Sequence, residues 1–343
     1  MHIVFIVPGS LATISGGYAY DRRMIALLRD SGHRVDVVEL GGRHPVPDDV
    51  AIAAANTAWA ALPDAAVPVI DGLALPAFAS LAAGLASRHA VGLLHHPTSL
   101  ETGLSESDAN ALRAIEQDLM PRLARAVVTS DLTGKTLTEE FGVAADRIAV
   151  VVPGTDDAPR SPGSGGPGCA ILSLGSFTPR KGHDVLLRSL AKLFDLDWRL
   201  TIAGAERDSV HAHALEALAE EHGVSQRVTF LGALSGDALE QLWQRTDLFA
   251  LATHYEGYGM AIAEALKRGI PVAVTAGGAA GALVTPEAGV VCAPGDEVTL
   301  SKSLRRLIFD VPLRQAATEA AFAVGQTLPD WPTQALAFAA AVG

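Results

Sequence analysis

The feature that most limits the fold of this chain is an alternation of short apolar runs with helix-length segments, which occurs twice. In the first half the runs are predicted strands at 2–7, 34–40, 67–70, 91–94, 126–129 and 148–152. In the second half they are predicted strands at 169–174, 199–203, 228–231, 248–251 and 271–274. Strands that alternate with helices favour parallel βα units, so each half is expected to form a doubly wound parallel sheet.

A segment rich in glycine and proline separates the two halves. Residues 156–168 have neither helical nor strand periodicity, which is typical of a linker. A length of 343 residues also suits two domains of ordinary size. The predicted organisation is a Rossmann-like domain at 1–155, the linker, a second Rossmann-like domain at 169–325, and a final helical segment at 326–343 that packs back on the first domain.

Composition excludes several classes of protein. Apolar residues make up 49% of the chain and charged residues 19%, as in a well-packed globular protein. The formal net charge of −12 makes nucleic acid a poor partner. No run of apolar residues is long enough for a transmembrane helix, and residues 1–8 read as a first strand, not a signal peptide. Two cysteines, Cys169 and Cys292, do not suggest a disulfide framework, so a cytoplasmic location is expected.

The stretch 256–264 carries a carboxylate at each end and glycines near its start. If it is entirely helical, the Cα atoms of Glu256 and Glu264 are roughly 12 Å apart, which suits a ligand with a sugar, a diphosphate and a ribose in line. The amides of the intervening residues would then form a helix N-terminus that binds phosphate. They belong to Gly257, Tyr258, Gly259 and Met260. Glu264 lies in an apolar run and is expected to need a hydrogen-bond partner. The alternative is one capping glutamate and one ordinary surface glutamate.

Two further segments are candidates for phosphate contacts. Arg180 and Lys181 follow a predicted strand and precede a helix, where the two cations could neutralise a diphosphate. The alternative is a basic pair on a solvated turn. The loop that ends at Gly16 and Gly17 either closes over a ligand or is simply flexible. It lacks the G-x-G-x-x-G spacing, which argues against a dinucleotide fingerprint and a nicotinamide-dependent oxidoreductase.

Polar residues also end predicted strands of the first half. His95 and His96 follow one strand, and Asp71 ends another. An imidazole there could contact a reacting sugar or its acceptor, although at least one of the two histidines is expected to be structural. Asp71 could bind acceptor hydroxyls or merely cap a loop. His211 and His213 are two residues apart on a predicted helix and make a poor metal pair, so no metal site is predicted.

Taken together, these residues resemble the retaining glycosyltransferases of family 4, which have the GT-B fold of two Rossmann-like domains facing a cleft. The resemblance covers nearly the whole chain. It includes the Gly16-Gly17 pair, Lys181 with Gly182, the E-x7-E motif from Glu256 to Glu264, and segments at 151–156 and 289–296. One position departs from the family pattern, because Ser176 stands where the family usually has an arginine. Arg180 is the candidate replacement.

The resemblance implies a role for each matched residue. Glu256 would bind hydroxyls of the donor sugar and Glu264 the ribose, and Lys181 would hold the diphosphate. The amides of Gly16, Gly17 and 257–260 would join Lys181. His96 would be the histidine near the reacting centre, with His95 as the competing assignment. Apart from the resemblance, Asp71 and His95 are the candidates for acceptor contacts, and the backbone near Gly232 is the candidate for holding the nucleobase.

The predicted function is transfer of a sugar from a nucleoside-diphosphate sugar to an acceptor hydroxyl, with retention of configuration and without a metal or bound cofactor. The first domain would bind the acceptor and the second the nucleotide sugar. A small molecule is favoured over a lipid-linked acceptor, because the first domain is acidic and lacks a basic amphipathic helix. Alternatives are a sugar phosphorylase or nucleotide-sugar epimerase of the same fold, and a nucleotide-sugar-binding protein without catalysis.

Overall fold

The chain divides into two compact units in a computed structural model that describes residues 1–101 and 103–343. Unit 1 comprises Met1–Gly154 and Pro329–Gly343. Unit 2 comprises Thr155–Leu328. The change of unit after Gly154 lies next to the glycine- and proline-rich segment, whereas the return to unit 1 occurs between two helices. Unit 1 is therefore built from two separate stretches of the chain.

Strands and helices alternate in unit 1. They are β1 (His2–Pro8), α1 (Gly16–Asp30), β2 (Arg34–Leu40), α2 (Asp49–Ala60), β3 (Ala66–Asp71), α3 (Ala82–Ser87), β4 (Val91–Leu94), α4 (Glu106–Leu119), β5 (Arg125–Val128), α5 (Asp131–Phe141) and β6 (Ile148–Val150). In the described part of unit 1 these strands form one parallel sheet in the order β2-β1-β3-β4-β5-β6. The strand order reverses between β1 and β3, and ligands of such sheets bind beside the strand ends at that point.

Unit 2, which is described throughout, repeats this design. Its elements are β7 (Cys169–Leu174), α6 (His183–Ala191), β8 (Trp198–Ala203), α7 (Ser209–Glu221), β9 (Val228–Leu231), α8 (Gly236–Trp243), β10 (Leu248–Leu251), α9 (Met260–Lys267), β11 (Val272–Thr275), β12 (Gly289–Cys292), α10 (Glu297–Phe309) and α11 (Val311–Thr327). The strands form a parallel sheet in the order β12-β11-β10-β7-β8-β9, with the reversal between β7 and β10. The predicted fold class, two doubly wound parallel sheets, is confirmed. Strand β12 was not among the predicted strands.

The last helix, α12 (Trp331–Val342), completes the core of unit 1. The ring of Phe338 stacks on Phe5 of β1 with 5.7 Å between centroids, and Trp331 meets Tyr20 of α1 edge-on at 5.8 Å. A Cβ atom at Gly154 would lie 2.4 Å from the backbone nitrogen of Trp331, so the chain passes here only with glycine. Burial of an aromatic ring such as Phe338 contributes roughly 2 to 3 kcal/mol to the free energy of unfolding.

Two further observations concern the composition of the helices and the cysteines. Among residues 1–101 and 103–343, none of the helices has both the length and the apolar character that a bilayer crossing requires. Cys169 and Cys292 are buried free thiols, each at one end of a strand of unit 2. Burial raises the pKa of the Cys169 thiol to about 12, so this thiol is a packing residue and not a nucleophile.

Candidate functional site

The turn after β7 positions the two predicted phosphate-binding cations. Residues Pro179–Lys181 form one 3-10 turn that ends at Gly182, where φ is +61°. A Cβ atom at Gly182 would lie 2.0 Å from the carbonyl oxygen of Ala252, so only glycine fits against the end of β10. The stem of Lys181 crosses the end of β7 at Gly175, where a Cβ atom would lie 2.9 Å from Lys181 Cδ. The glycines thus direct Lys181 toward the point where the strand order reverses.

The loop after β10 brings Glu256 to the same place. Its backbone nitrogen donates to the carbonyl oxygen of Gly277 at 3.0 Å, and its carbonyl oxygen accepts from the nitrogen of Ala279 at 2.8 Å. A Cβ atom at Gly278 would lie 2.3 Å from the carbonyl oxygen of Glu256, so this pairing also needs glycine. The main chain therefore holds Glu256 in position independently of its side chain.

Lys181 and Glu256 form the central ion pair of unit 2. Lys181 Nζ lies 2.5 Å from Glu256 Oε1, and Thr253 Oγ1 lies 3.2 Å from the same oxygen. The Arg180 guanidinium is 3.7 Å from Glu256 Oε1 and donates to the carbonyl oxygen of Tyr255 at 2.6 Å. Burial alone would raise the pKa of Glu256, but Lys181 and Arg180 outweigh it and hold the pKa below its usual value. The site therefore presents one ionised carboxylate and two cations at the switch point of the sheet.

The E-x7-E stretch is helical over only part of its length. Helix α9 begins at Met260, after Gly259 with φ of +104°, and Glu256 lies outside it in an isolated bridge to Gly278. The assumption of a helix from Glu256 onward was wrong, because the positive φ at Gly259 and the pairing of Glu256 with Gly278 break the helical path. The helix N-terminus consists of the amides from Met260 onward, and Gly257 and Tyr258 precede it. The predicted phosphate-binding amides of the helix therefore start at Met260, the last of residues 257–260.

Glu264 lies in the second turn of α9 and is partly buried. No hydrogen bond reaches its carboxylate from any residue that the structure describes, so the partner expected from the sequence is not found among those residues. Burial raises the pKa of Glu264 to about 7, with Glu240 adding to the effect and Arg268 opposing it. A carboxylate in this state is well suited to accept hydrogen bonds from a ligand.

Glu264→Gln is expected to change the pH dependence of stability. The folded-state pKa of about 7 lies above the usual 4.5, so the stability present below pH 4.5 is lost as the pH rises through 7. At pH 8 the ligand-free variant should therefore exceed the wild type in free energy of unfolding by about 1 to 3 kcal/mol, with little difference at pH 4.5. Urea unfolding at both pH values measures this, and the surface variant Glu139→Gln is the control. A difference that does not vary with pH would contradict the assignment.

The remaining residues that are predicted to contact the sugar donor lie in different surroundings. Tyr258 is buried, and burial raises the pKa of its phenol to about 12. Gly232 follows β9 and is exposed, and a Cβ atom there would meet nothing within 4 Å. In unit 1, α1 begins at Gly16 and is capped by Ser15, whose side chain accepts from the nitrogen of Tyr18 at 3.3 Å. The first two residues of α1 are thus the predicted glycine pair.

The two neighbouring histidines of unit 1 have different partners. His96 pairs with Glu101, with 2.5 Å between Nε2 and Oε2. His95 instead packs against Gly17, where a Cβ atom would lie 3.4 Å from its ring. His95 Nε2 is 3.8 Å from Asp71 Oδ2. The structure therefore brings His95, Asp71 and Gly17 together, and it pairs His96 with Glu101 instead.

Sequence reasoning missed one member of this group. Asp21, in the second turn of α1, is fully buried, and its Oδ1 lies 3.4 Å from His95 Nε2. Its position could have been suspected, because Tyr20, Met24 and Leu28 on the same helix are apolar at helical spacing and Asp21 adjoins that face. A carboxylate oxygen of Asp21, a carboxylate oxygen of Asp71 and a ring nitrogen of His95 lie within 4.8 Å of one another. We call these three residues the unit 1 triad.

Comparison with known proteins identifies the second half of the chain. Residues 156–324, nearly all of unit 2, match the family model of glycosyl transferases group 1. A D-inositol 3-phosphate glycosyltransferase from Mycobacterium sp. (strain KMS) is 34% identical over 210 residues, which cover 56% of this chain and 47% of that protein. The chain thus spans about half the length of the curated relatives that it matches.

Solved structures match over almost the whole chain. Sucrose-phosphate synthase from Thermosynechococcus elongatus has a TM-score of 0.82 at 17% identity and covers 99% of this chain and 98% of its own. Anabaena HepE, solved in complex with UDP-glucose, has a TM-score of 0.77 at 19% identity, covering 99% of both chains. At this identity the likeness shows the fold. The chain has the GT-B fold, and its second unit matches the family model of glycosyl transferases group 1.

Proposed function

We propose that this protein transfers a sugar from a nucleoside-diphosphate sugar to an acceptor hydroxyl, with retention of anomeric configuration. The observation that carries the proposal is the Lys181–Glu256 pair at the switch point of unit 2, 2.5 Å apart and flanked by Arg180. Two cations and a carboxylate match the two halves of such a donor. Cations suit its diphosphate, and an ionised carboxylate suits the hydroxyls of its sugar.

Donor binding requires Lys181 to exchange partners. In the structure its ammonium contacts Glu256, whose negative charge the two cations stabilise. A diphosphate offers Lys181 stronger and more numerous acceptors, and sugar hydroxyls then donate to the released Glu256 carboxylate. The ion pair therefore keeps both groups charged and in place before the donor arrives, which is the preorganisation that electrostatic catalysis needs.

The reaction step follows from what these residues can supply. The bond between the anomeric carbon and the diphosphate oxygen breaks, and its electron pair stays on the diphosphate. The acceptor oxygen attacks the same face, its proton passes to the departing phosphate oxygen, and a new glycosidic bond forms. Lys181 and Arg180 stabilise the charge that develops on the diphosphate, together with the amides at the start of α9. The proposal needs no covalent nucleophile, metal ion or cofactor.

Helix α9 would hold the rest of the nucleotide. The Glu264 carboxylate lacks a hydrogen-bond partner among the described residues and would accept from the ribose hydroxyls. The exposed Gly232 leaves the backbone after β9 open to a nucleobase. These contacts are expected to bind donor and product alike, so they affect KM more than kcat.

Unit 1 would bind the acceptor through Asp71 and His95. The site role that the sequence suggested for His96 remains a prediction, but the geometry supports His95 for it, because His95 packs on Gly17 whereas His96 is paired with Glu101. A relative is named for transfer to D-inositol 3-phosphate, and carboxylate and imidazole groups suit a small polyol of that kind. A lipid-linked acceptor is the alternative, and the cytoplasm remains the predicted location.

The first test is thermal stabilisation by UDP, GDP, ADP and NAD at equal concentration. A ligand that binds only the folded protein and is present at about 100 times its Kd adds roughly 2.7 kcal/mol to the free energy of unfolding. We expect stabilisation by one nucleoside diphosphate, which identifies the donor class, and none by NAD. Stabilisation by NAD alone would overturn the proposal.

The second test concerns the product. With the nucleotide sugar so identified, a panel of polyol and phosphopolyol acceptors is screened for nucleotide release, and NMR gives the anomeric configuration of the new glycoside. Retention is expected. Inversion, epimerisation of the donor without acceptor, or sugar release that depends on inorganic phosphate would each contradict the proposed reaction.

A further inference from the structure

The buried carboxylate of Asp21 has no role in the function proposed so far. Asp21 is fully buried, and neither of its oxygens receives a hydrogen bond from the described residues. A buried carboxylate without hydrogen bonds costs several kcal/mol unless a positive charge compensates it. The one ion pair that the described structure gives Asp21 is with His95. A role for the buried Asp21 carboxylate must therefore lie in its effect on His95.

The ring of His95 is fixed from several sides. Its Nε2 is buried and lies 3.4 Å from Asp21 Oδ1 on α1 and 3.8 Å from Asp71 Oδ2 at the end of β3. Tyr20 meets the ring edge-on, with 5.4 Å between centroids, and the backbone at Gly17 lies against it. The His95 side chain is nevertheless 20% exposed. One nitrogen therefore faces the carboxylates, while part of the side chain remains exposed.

Asp71 is anchored independently of His95. Its Oδ1 accepts from the nitrogen of Leu73 at 2.7 Å, and its carbonyl oxygen accepts from the nitrogen of Ala74. The charged groups that face His95 are thus Asp21 from α1 and Asp71 from β3, and the neighbouring Tyr20 is a neutral phenol whose hydroxyl donates to the carbonyl oxygen of Val151. Thr129 and Thr133 reach only the backbone oxygen of His95.

We propose that Asp21 is a positioning residue that, together with Asp71, holds His95 as an imidazolium with Nε2–H turned to the carboxylates and Nδ1–H available to the acceptor. This inference rests on the proposed function and assigns the role of the unit 1 triad within it. An imidazolium donates and cannot take a proton. The ligand group at Nδ1 is therefore an oxygen with a free lone pair, such as a sugar or polyol oxygen, and not an ammonium.

The electrostatics of the triad support this charge state. Burial alone would lower the pKa of His95, but its contact with Asp21 and the charge of Asp71 outweigh burial and raise the pKa. Burial and the charge of Asp21 raise the pKa of Asp71 to about 7, so Asp71 is only partly ionised near neutral pH and favours the imidazolium less than Asp21 does. A protonated His95 also agrees with a reaction in which the departing diphosphate, not a histidine, takes the acceptor proton.

The test is the titration of the His95 ring, followed by NMR in the full-length protein and assigned with a His95→Gln variant. Asp21→Asn keeps the side-chain shape but removes the charge that favours the imidazolium. The midpoint of the His95 titration is expected to fall by about one pH unit or more, since a charge at this distance shifts a pKa by that amount. Asp71→Asn should lower it as well. The matched control is Asp36→Asn, since Asp36 pairs with His2 at 2.7 Å and lies outside the triad.

A kinetic readout separates positioning from a merely structural role. If transfer needs protonated His95, kcat/KM of the wild type falls at alkaline pH, and Asp21→Asn moves this decline to lower pH by the same amount as the NMR midpoint. Stabilisation by the nucleoside diphosphate, a property of unit 2, should be unchanged and reports that the variant is folded. If Asp21→Asn does not fold, Asp71→Asn carries the same test.

Two results would overturn the inference. One is a His95 titration that does not move in either carboxylate variant. The other is stabilisation of the wild type, but not of Asp21→Asn, by Zn²⁺ or Mg²⁺, which would make the triad a cation site. The NMR titration needs no transfer activity. Failure to detect any transfer would therefore count against the proposed function while the titration still decides the role of Asp21.

Discussion

Lys181→Ala is expected to reduce kcat/KM by about 10²- to 10³-fold, the usual effect of removing one group that stabilises developing charge. Lys181 Nζ lies at the switch point of the unit 2 sheet, 2.5 Å from Glu256. It would be the cation that holds the diphosphate as it leaves. Most of the loss should appear in kcat, because the interaction strengthens as the bond breaks. Steady-state kinetics with the donor identified by thermal stabilisation measure both constants.

The matched control is Lys192→Ala at the far end of α6. Lys192 also pairs with a glutamate, with 3.0 Å between its Nζ and Glu297 Oε2, but it follows the last residue of the helix whose start adjoins Lys181. The nine residues of α6 separate the two ends by about 14 Å. Activity close to wild type is expected for the control. A Lys181→Ala enzyme with wild-type turnover would refute the role of this residue.

Glu256→Gln is expected to lower kcat/KM by about 10²-fold or more while leaving the fold intact. The backbone of Glu256 is held by hydrogen bonds to Gly277 and Ala279, so the substitution removes the charge without moving the chain. A neutral amide accepts sugar hydroxyls less strongly and cannot form an ion pair with Lys181. The circular dichroism spectrum should match that of the wild type.

The chain offers a close control for this second variant. Glu297 lies between Lys192 and Arg188 much as Glu256 lies between Lys181 and Arg180, but outside the switch point. Glu297→Gln should therefore leave activity unchanged. In the double variant Lys181→Ala/Glu256→Gln the losses should be far from additive, because the two residues act on one another directly. Additive losses would mean that the pair does not work as a unit.

The fold was predictable because parallel βα units leave a strong pattern. Strands of such sheets are buried on both faces and read as short apolar runs, and this allowed eleven of the strands to be recognised from the sequence. Strand β12 was missed because its four residues, Gly289–Cys292, follow β11 without an intervening long helix. It is a strand because it pairs with β11, which is a tertiary contact. Periodicity cannot report such pairing.

The residues of the candidate site also differ in whether the sequence alone could identify them. Lys181 and Glu256 were identified from motifs that each lie on a single loop, and the structure brings the two side chains together. Asp21 was not identified, because one aspartate next to the apolar face of a helix resembles a surface residue at the edge of that face. Its burial depends on β3 and β4, whose ends supply Asp71 and His95 from positions far apart in the sequence.

The sequence by itself determined the class of fold, the two-part organisation and the residue types at the strand ends, because these follow from local periodicity and from the glycines that tight turns require. Only the tertiary structure decided where α9 begins, which of His95 and His96 faces the carboxylates, and that Asp21 is buried beside them. The physical reason is that burial, ion pairing and pKa depend on groups brought together from distant parts of the chain. The close approach of the His95 ring to Gly17, where a Cβ atom would lie 3.4 Å from the ring, illustrates how such an arrangement is specified.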